Sequence, residues 1–123
     1  MNDYQKKLCD KMDVYVHGVY KVTKIFPKEE TFGVTSQFRR SSLSVVLNYI
    51  EGYARGRLKS RLHFLEISFA SLQESKYLLK FSFEEKYLLE DNYQKLKSYS
   101  EEISAMLWKE IENISNHLKN FSN

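Results

Sequence analysis

One cysteine, one proline and four glycines are all that 123 residues contain of the usual punctuation. A lone Cys9 can close no internal disulfide, so a reducing, cytoplasmic compartment is expected. So few Gly and Pro leave room for few turns, which favours a small number of long elements over many short strands. No apolar run approaches the roughly 18 residues that a membrane span needs, so no membrane partner is expected. The opening MNDYQKK has no apolar core of the kind that marks a secretory signal. At 42% apolar and 28% charged, the chain is rich enough to bury a core, and its length suits a single domain over 1–123.

The residues that carry chemistry are also thinly spread. A di-iron bundle needs a Glu three residues before a His on two helices. The positions three before His17, His63 and His117 hold Val14, Ser60 and Ile114. One cysteine and scattered histidines do not make a zinc set, so the three histidines read as surface or boundary residues. No serine sits in a Gly-x-Ser-x-Gly elbow, Cys9 has no evident His partner, and no glycine-rich phosphate loop exists. No catalysis, cofactor, metal or small-molecule substrate is therefore expected.

What the chain does have is helical periodicity. Leu8, Met12, Tyr15, Val16, Val19, Val22 and Phe26 recur at three- and four-residue steps, predicting a helix from about Tyr4 to Phe26 that Pro27 stops. Thr35 suits the N-cap of a second helix reaching Tyr53 or Arg55. A third is predicted over Leu58–Phe83, with Leu58, Leu62, Leu65, Phe69 and Leu72 as its core line, extended by Tyr77, Leu78, Leu79 and Phe81. A fourth covers Glu90–Leu118, with Leu96, Tyr99, Ile103, Leu107, Ile114, Leu118 and Phe121 in a near-heptad rhythm. The turn between the last two is placed near Leu88–Leu89, where no Gly, Pro or Asn marks it. Four long amphipathic helices with short connections predict an all-α, antiparallel up-and-down four-helix bundle.

The second helix departs from simple amphipathicity. Val45, Val46, Leu47, Tyr49 and Ile50 spread apolar surface around most of its circumference, more than one monomer core can cover, which predicts self-association. Through that surface runs a polar stripe of Gln37, Arg40, Ser44, Asn48, Glu51 and Arg55. It reads either as a hydrogen-bonded network fixing register between helices or subunits, with Arg40 a partner for Asn48 and Glu51, or as a binding site.

Charge is unevenly distributed. Residues 34–63 hold six basic residues against Glu51 alone, whereas residues 64–123 hold seven Lys against ten acids. Every arginine lies between 39 and 61, and Arg makes forked contacts to phosphates that Lys cannot. Arg55, Arg57, Lys59 and Arg61 are the candidate anion-binding or nucleic-acid-binding patch, the alternative being a solvated loop at a helix entry.

The run Phe32-Gly33-Val34-Thr35-Ser36-Gln37-Phe38-Arg39-Arg40, followed by Ser44, Asn48 and Glu51-Gly52, resembles the signature of the bacterial 23S ribosomal RNA intervening-sequence proteins. Val14-Tyr15 and Ile25-Phe26-Pro27 are similar to that family's first helix, and Phe64-Leu65 and Ser71-Leu72-Gln73-Glu74 to its third, so the likeness covers roughly residues 10–118. The chain departs from that family's usual pattern with Ser41-Ser42 where two alanines are common, Val46 where proline is, Tyr49-Ile50 where an Ile-Ala pair is and Ser75 where leucine is. The resemblance implies a bundle assembling as a ring-like homopentamer, with no established activity. More distantly, the chain is similar to accessory proteins of diversity-generating retroelements, which share the bundle and pentamer and bind nucleic acid and a reverse transcriptase. RNA or DNA binding by an oligomer, or a structural and protein-interaction role without it, are the two functions so implied.

Overall fold

The structure, a computed structural model, describes residues 1–121. Four helices, α1 (Asp3–Thr23), α2 (Val34–Ala54), α3 (Leu58–Glu84) and α4 (Glu90–Phe121), make an up-and-down bundle, with a short 3-10 turn at Lys28–Glu30. Each helix packs on its neighbours in a closed circuit, α1 on α2 and α4, and α3 on α2 and α4. Among the described residues, no helix is long and apolar enough to cross a membrane.

The predicted α1 stripe is buried throughout, from Leu8 to Phe26. The helix itself ends at Thr23, three residues early. Thr23 turns its hydroxyl back to the carbonyls of Val19 and Tyr20, at 2.8 and 3.1 Å, and the proline ahead bars continuation. Leu65, Leu72, Ile103 and Leu107 form the shared core, and Phe69 packs against it half-buried. Tyr77 and Phe121 are exposed instead of completing the core lines. Tyr77 lies two residues, about 200° of helical rotation, from the buried Leu79 and so faces away from the core, while Phe121 stands in the last turn of α4.

Thr35 is not the cap of α2. Gly33 holds that position, and Thr35 lies buried inside the first turn. The carboxylate of Glu30, delivered by the 3-10 turn, accepts from the amide of Val34 at 3.3 Å and does a cap's work from outside the helix. A side chain at Gly33 would meet that carboxylate, since a Cβ there would stand 2.6 Å from Glu30 Oε1.

The α3–α4 turn falls where expected, and its unmarked sequence has a structural explanation. The amide of Tyr87 donates to the Ser82 carbonyl at 2.8 Å and that of Lys86 to Phe83 at 3.0 Å, the paired bonds of a Schellman ending. The left-handed residue that this motif requires is Lys86, at φ 64°. Glycine is the usual occupant, and a lysine gives no turn signal in the sequence. Tyr87 then anchors the turn, its ring 5.5 Å from that of Phe26 and its hydroxyl donating to Glu30 at 2.8 Å.

Small residues let α2 and α3 approach closely. Ser68 donates across to the carbonyl of Val45 at 2.6 Å, and the Ser44 and Ser71 hydroxyls meet at 2.9 Å. A Cβ on Gly52 would lie 2.6 Å from Leu65 Cδ1 and 3.3 Å from the carbonyl of Arg61.

Two stability measurements check this account. Lys86→Gly should raise the urea midpoint, relieving about 1 kcal/mol of left-handed strain. Gly52→Ala should lower stability by about 1–3 kcal/mol, because the helices must part to admit the methyl group. An unchanged midpoint in either variant contradicts the corresponding packing.

Candidate functional site

The basic residues between 39 and 61 divide by what their side chains touch. Arg39 donates to Thr23 Oγ1 at 2.7 Å and the Tyr20 carbonyl at 3.4 Å, and its guanidinium lies 4.8 Å over the Tyr20 ring. Arg61 does the same for α2, donating to the carbonyls of Gly52 at 3.3 Å and Arg55 at 3.2 Å while stacking 4.6 Å over Tyr53. Both satisfy carbonyls that a helix C-terminus leaves open. Arg61 is therefore committed to holding the α2–α3 corner.

Arg55 donates to Glu51, at 3.1 Å through Nε, and stacks 4.7 Å over Phe64. Arg57 and Lys59 are exposed at the same corner and carry no ion pair among the described residues. Of the four predicted patch residues, then, Arg57 and Lys59 are open to a ligand, Arg55 is exposed but paired, and Arg61 is structural.

The polar stripe divides too. Asn48 is half-buried and donates to the carbonyl and hydroxyl of Ser44, each at 2.9 Å. Glu51 is half-buried and paired, yet with Arg55 and not with Arg40. Arg40 sits eleven residues before it, about 16 Å along the axis at about 1.5 Å per residue. It bonds Gln37 at 2.9 Å and crosses to Glu74 on α3. The stripe is thus three local clusters, two of which tie α2 to α3. Beside it Leu43, Leu47 and Ile50 stand 37%, 54% and 47% exposed on one side of the helix.

The sequence pattern did not single out Glu110, which is only 7% exposed. Tyr49 and Tyr53, one turn apart on α2, each donate a hydroxyl to a different oxygen of its carboxylate. Burial first, and then this carboxylate, push both phenols well above the ordinary tyrosine range. A signal existed: Leu96, Ile103 and Glu110 follow one another at heptad spacing, so the core line of α4 runs straight into a carboxylate. Beside Glu110 a cavity of about 330 Å³ opens between the N-terminal end of α1, the corner and α4, lined among others by Tyr53, Arg61 and Lys109.

His17 makes an exposed contact with Asp13 at 3.4 Å, and His63 and His117 are also exposed. Cys9 is half-buried, and no group of three or more His, Cys, Asp or Glu side chains converges among the described residues.

Helix order and connection define a four-helix up-and-down bundle protein. The chain belongs to the 23S rRNA-intervening sequence protein family, whose profile matches residues 5–109. It is also similar to the crystal structure of a protein of unknown function of the S23 ribosomal protein family from Bacteroides thetaiotaomicron. That likeness has 21% identity over 89% of this chain and 98% of that one, with a TM-score of 0.81. Among curated proteins none matches.

The two kinds of polar contact should separate in a denaturation series. Tyr49→Phe leaves a buried carboxylate short of a donor and should cost about 1.5–3 kcal/mol. Glu51→Ala removes a pair that is nearly half open to solvent in the single chain and should cost less than about 1 kcal/mol. Equal losses would show that burial does not distinguish them.

Proposed function

We propose that this chain is a non-enzymatic, self-associating cytoplasmic bundle that holds nucleic acid at its α2–α3 corner. The observation that carries the reading is the pair Arg57 and Lys59, exposed, without ion-pair partners among the described residues, and backed by Arg55. Phosphate oxygens would pair with these groups by charge alone, so binding is sequence-tolerant and weakens steeply with salt. Two or three cations on one subunit are too few for tight binding. The exposed strip of Leu43, Leu47 and Ile50 supports assembly, because apolar side chains at such spacing along one helix favour burial against another copy. Five copies, the number the family resemblance implies, would repeat the corner around a ring and add avidity wherever one strand reaches several corners.

The alternative, a structural or protein-interaction module, rests on the same apolar strip without the corner. Titration of structured RNA and duplex DNA at two salt concentrations separates the two. Arg57→Gln with Lys59→Gln should weaken binding and flatten the salt slope by about one unit for each phosphate no longer neutralised. Arg61 is left intact in that variant because it caps α2. Wild-type protein without salt-sensitive binding refutes the nucleic-acid reading. Light scattering on a sizing column should give an oligomer that Leu47→Glu dissociates, and a wild-type monomer at micromolar concentration refutes assembly.

A further inference from the structure

The cavity beside Glu110 has a composition that phosphate binding alone does not require. Glu110 is a buried carboxylate with no ion pair among the described residues. It accepts from the hydroxyls of Tyr49 and Tyr53, one on each oxygen. A carboxylate can accept about four hydrogen bonds, so these two leave it capacity for more. Glu110 lines the cavity together with the amides of Asn2 and Asn113 and the cations of Arg61 and Lys109.

This combination discriminates among ligands. A free cation would meet Arg61 and Lys109, and a simple anion would meet Glu110. The mixture suits a molecule that is neutral with paired N–H donors at one edge and anionic at the other. A second groove, lined by Asn2, Gln5, Ile50, Tyr53, Ala54 and Arg61, shares Asn2, Gln5, Tyr53 and Arg61 with the cavity. It therefore continues the cavity along α2 from Ile50 to Ala54, the residue before Arg55.

We propose that the Glu110 cavity receives one unpaired guanine of a single strand, whose phosphates lie along Lys109 and the α2–α3 corner. The inference rests on the nucleic-acid reading above and adds to it a strand type and a base. Guanine presents N1–H and the N2 amino group side by side, two donors that match a carboxylate edge. Adenine and cytosine present one amino group next to a ring acceptor, which would face the carboxylate unfavourably. A duplex keeps that edge in its base pairs, whereas a single strand can turn the base outward. The cavity of about 330 Å³ is roomy enough for a base.

The test uses fluorescence anisotropy with a short, labelled, adenine-rich single strand carrying one central guanine. Control strands carry inosine or adenine at that position. The guanine strand should bind at least about tenfold more tightly than the adenine strand, with inosine, which lacks the N2 amino group, between them. Glu110→Gln should abolish the preference while the salt-sensitive binding common to all three strands persists. Its fold is verified by thermal melting. Should that variant fail to fold, the guanine-to-inosine ratio in the wild type still decides. Equal affinity for the three strands with a normal salt slope overturns the cavity assignment and leaves the corner reading standing. Absence of binding to any strand overturns both.

Discussion

The bundle depends on how closely α2 and α3 approach. Ser68 on the Val45 carbonyl, the Ser44–Ser71 contact and Gly52 against Leu65 leave no room for large side chains at that seam. Volume excluded from the seam has to go elsewhere. Val45 and Tyr49 turn into the core, while Leu43, Leu47 and Ile50 are left outside it. The same close approach brings Arg61 within reach of the last carbonyls of α2. Tight packing in one place therefore sets both the apolar strip and the shape of the basic corner.

Tyrosines bridge the diagonals that this circuit leaves without direct helix packing. Tyr15 and Ser75 meet at 2.7 Å between α1 and α3, and Tyr49 and Tyr53 reach Glu110 between α2 and α4. An apolar core can slide by a residue or a turn at modest cost, whereas a buried hydroxyl or carboxylate displaced from its partner loses a hydrogen bond it cannot replace with water. These few bonds accordingly fix the relative heights of all four helices. They also explain how Ser75 is accommodated where the family resemblance leads one to expect leucine, because Tyr15 supplies its partner.

Helix number, order and approximate limits were legible in the sequence because they follow from apolar periodicity and from Pro27. The residues that misled it are those whose roles depend on a partner distant in the chain. Thr35 has the chemistry of a cap, but the helix begins before it, at Val34, whose open amide Glu30 accepts from. Lys86 hides a left-handed turn because its identity carries no signal for one. Arg40 and Glu51 share a stripe, yet about three helical turns separate them, and each found a closer opposite charge. Glu110 was overlooked because a single acid in a long helix ordinarily faces water. Only its place in the heptad, and the two tyrosines that arrive from α2, distinguish it.

The arginines show why composition overstated the charged patch. Of the six basic residues between 39 and 61, the sequence pointed to Arg55, Arg57, Lys59 and Arg61 as one patch. Arg39 and Arg61 instead serve as helix caps, and each covers a tyrosine ring while donating to carbonyls one element away. Arginine suits this role because a planar guanidinium can stack with its face and donate from its edge at once. A lysine could supply the charge without that geometry, so its absence from both positions has a structural reason. The charge available to a ligand is consequently concentrated in Arg57, Lys59 and the exposed part of Arg55. The corner that displays them is held in shape by a fourth cation, Arg61, which is itself largely spent.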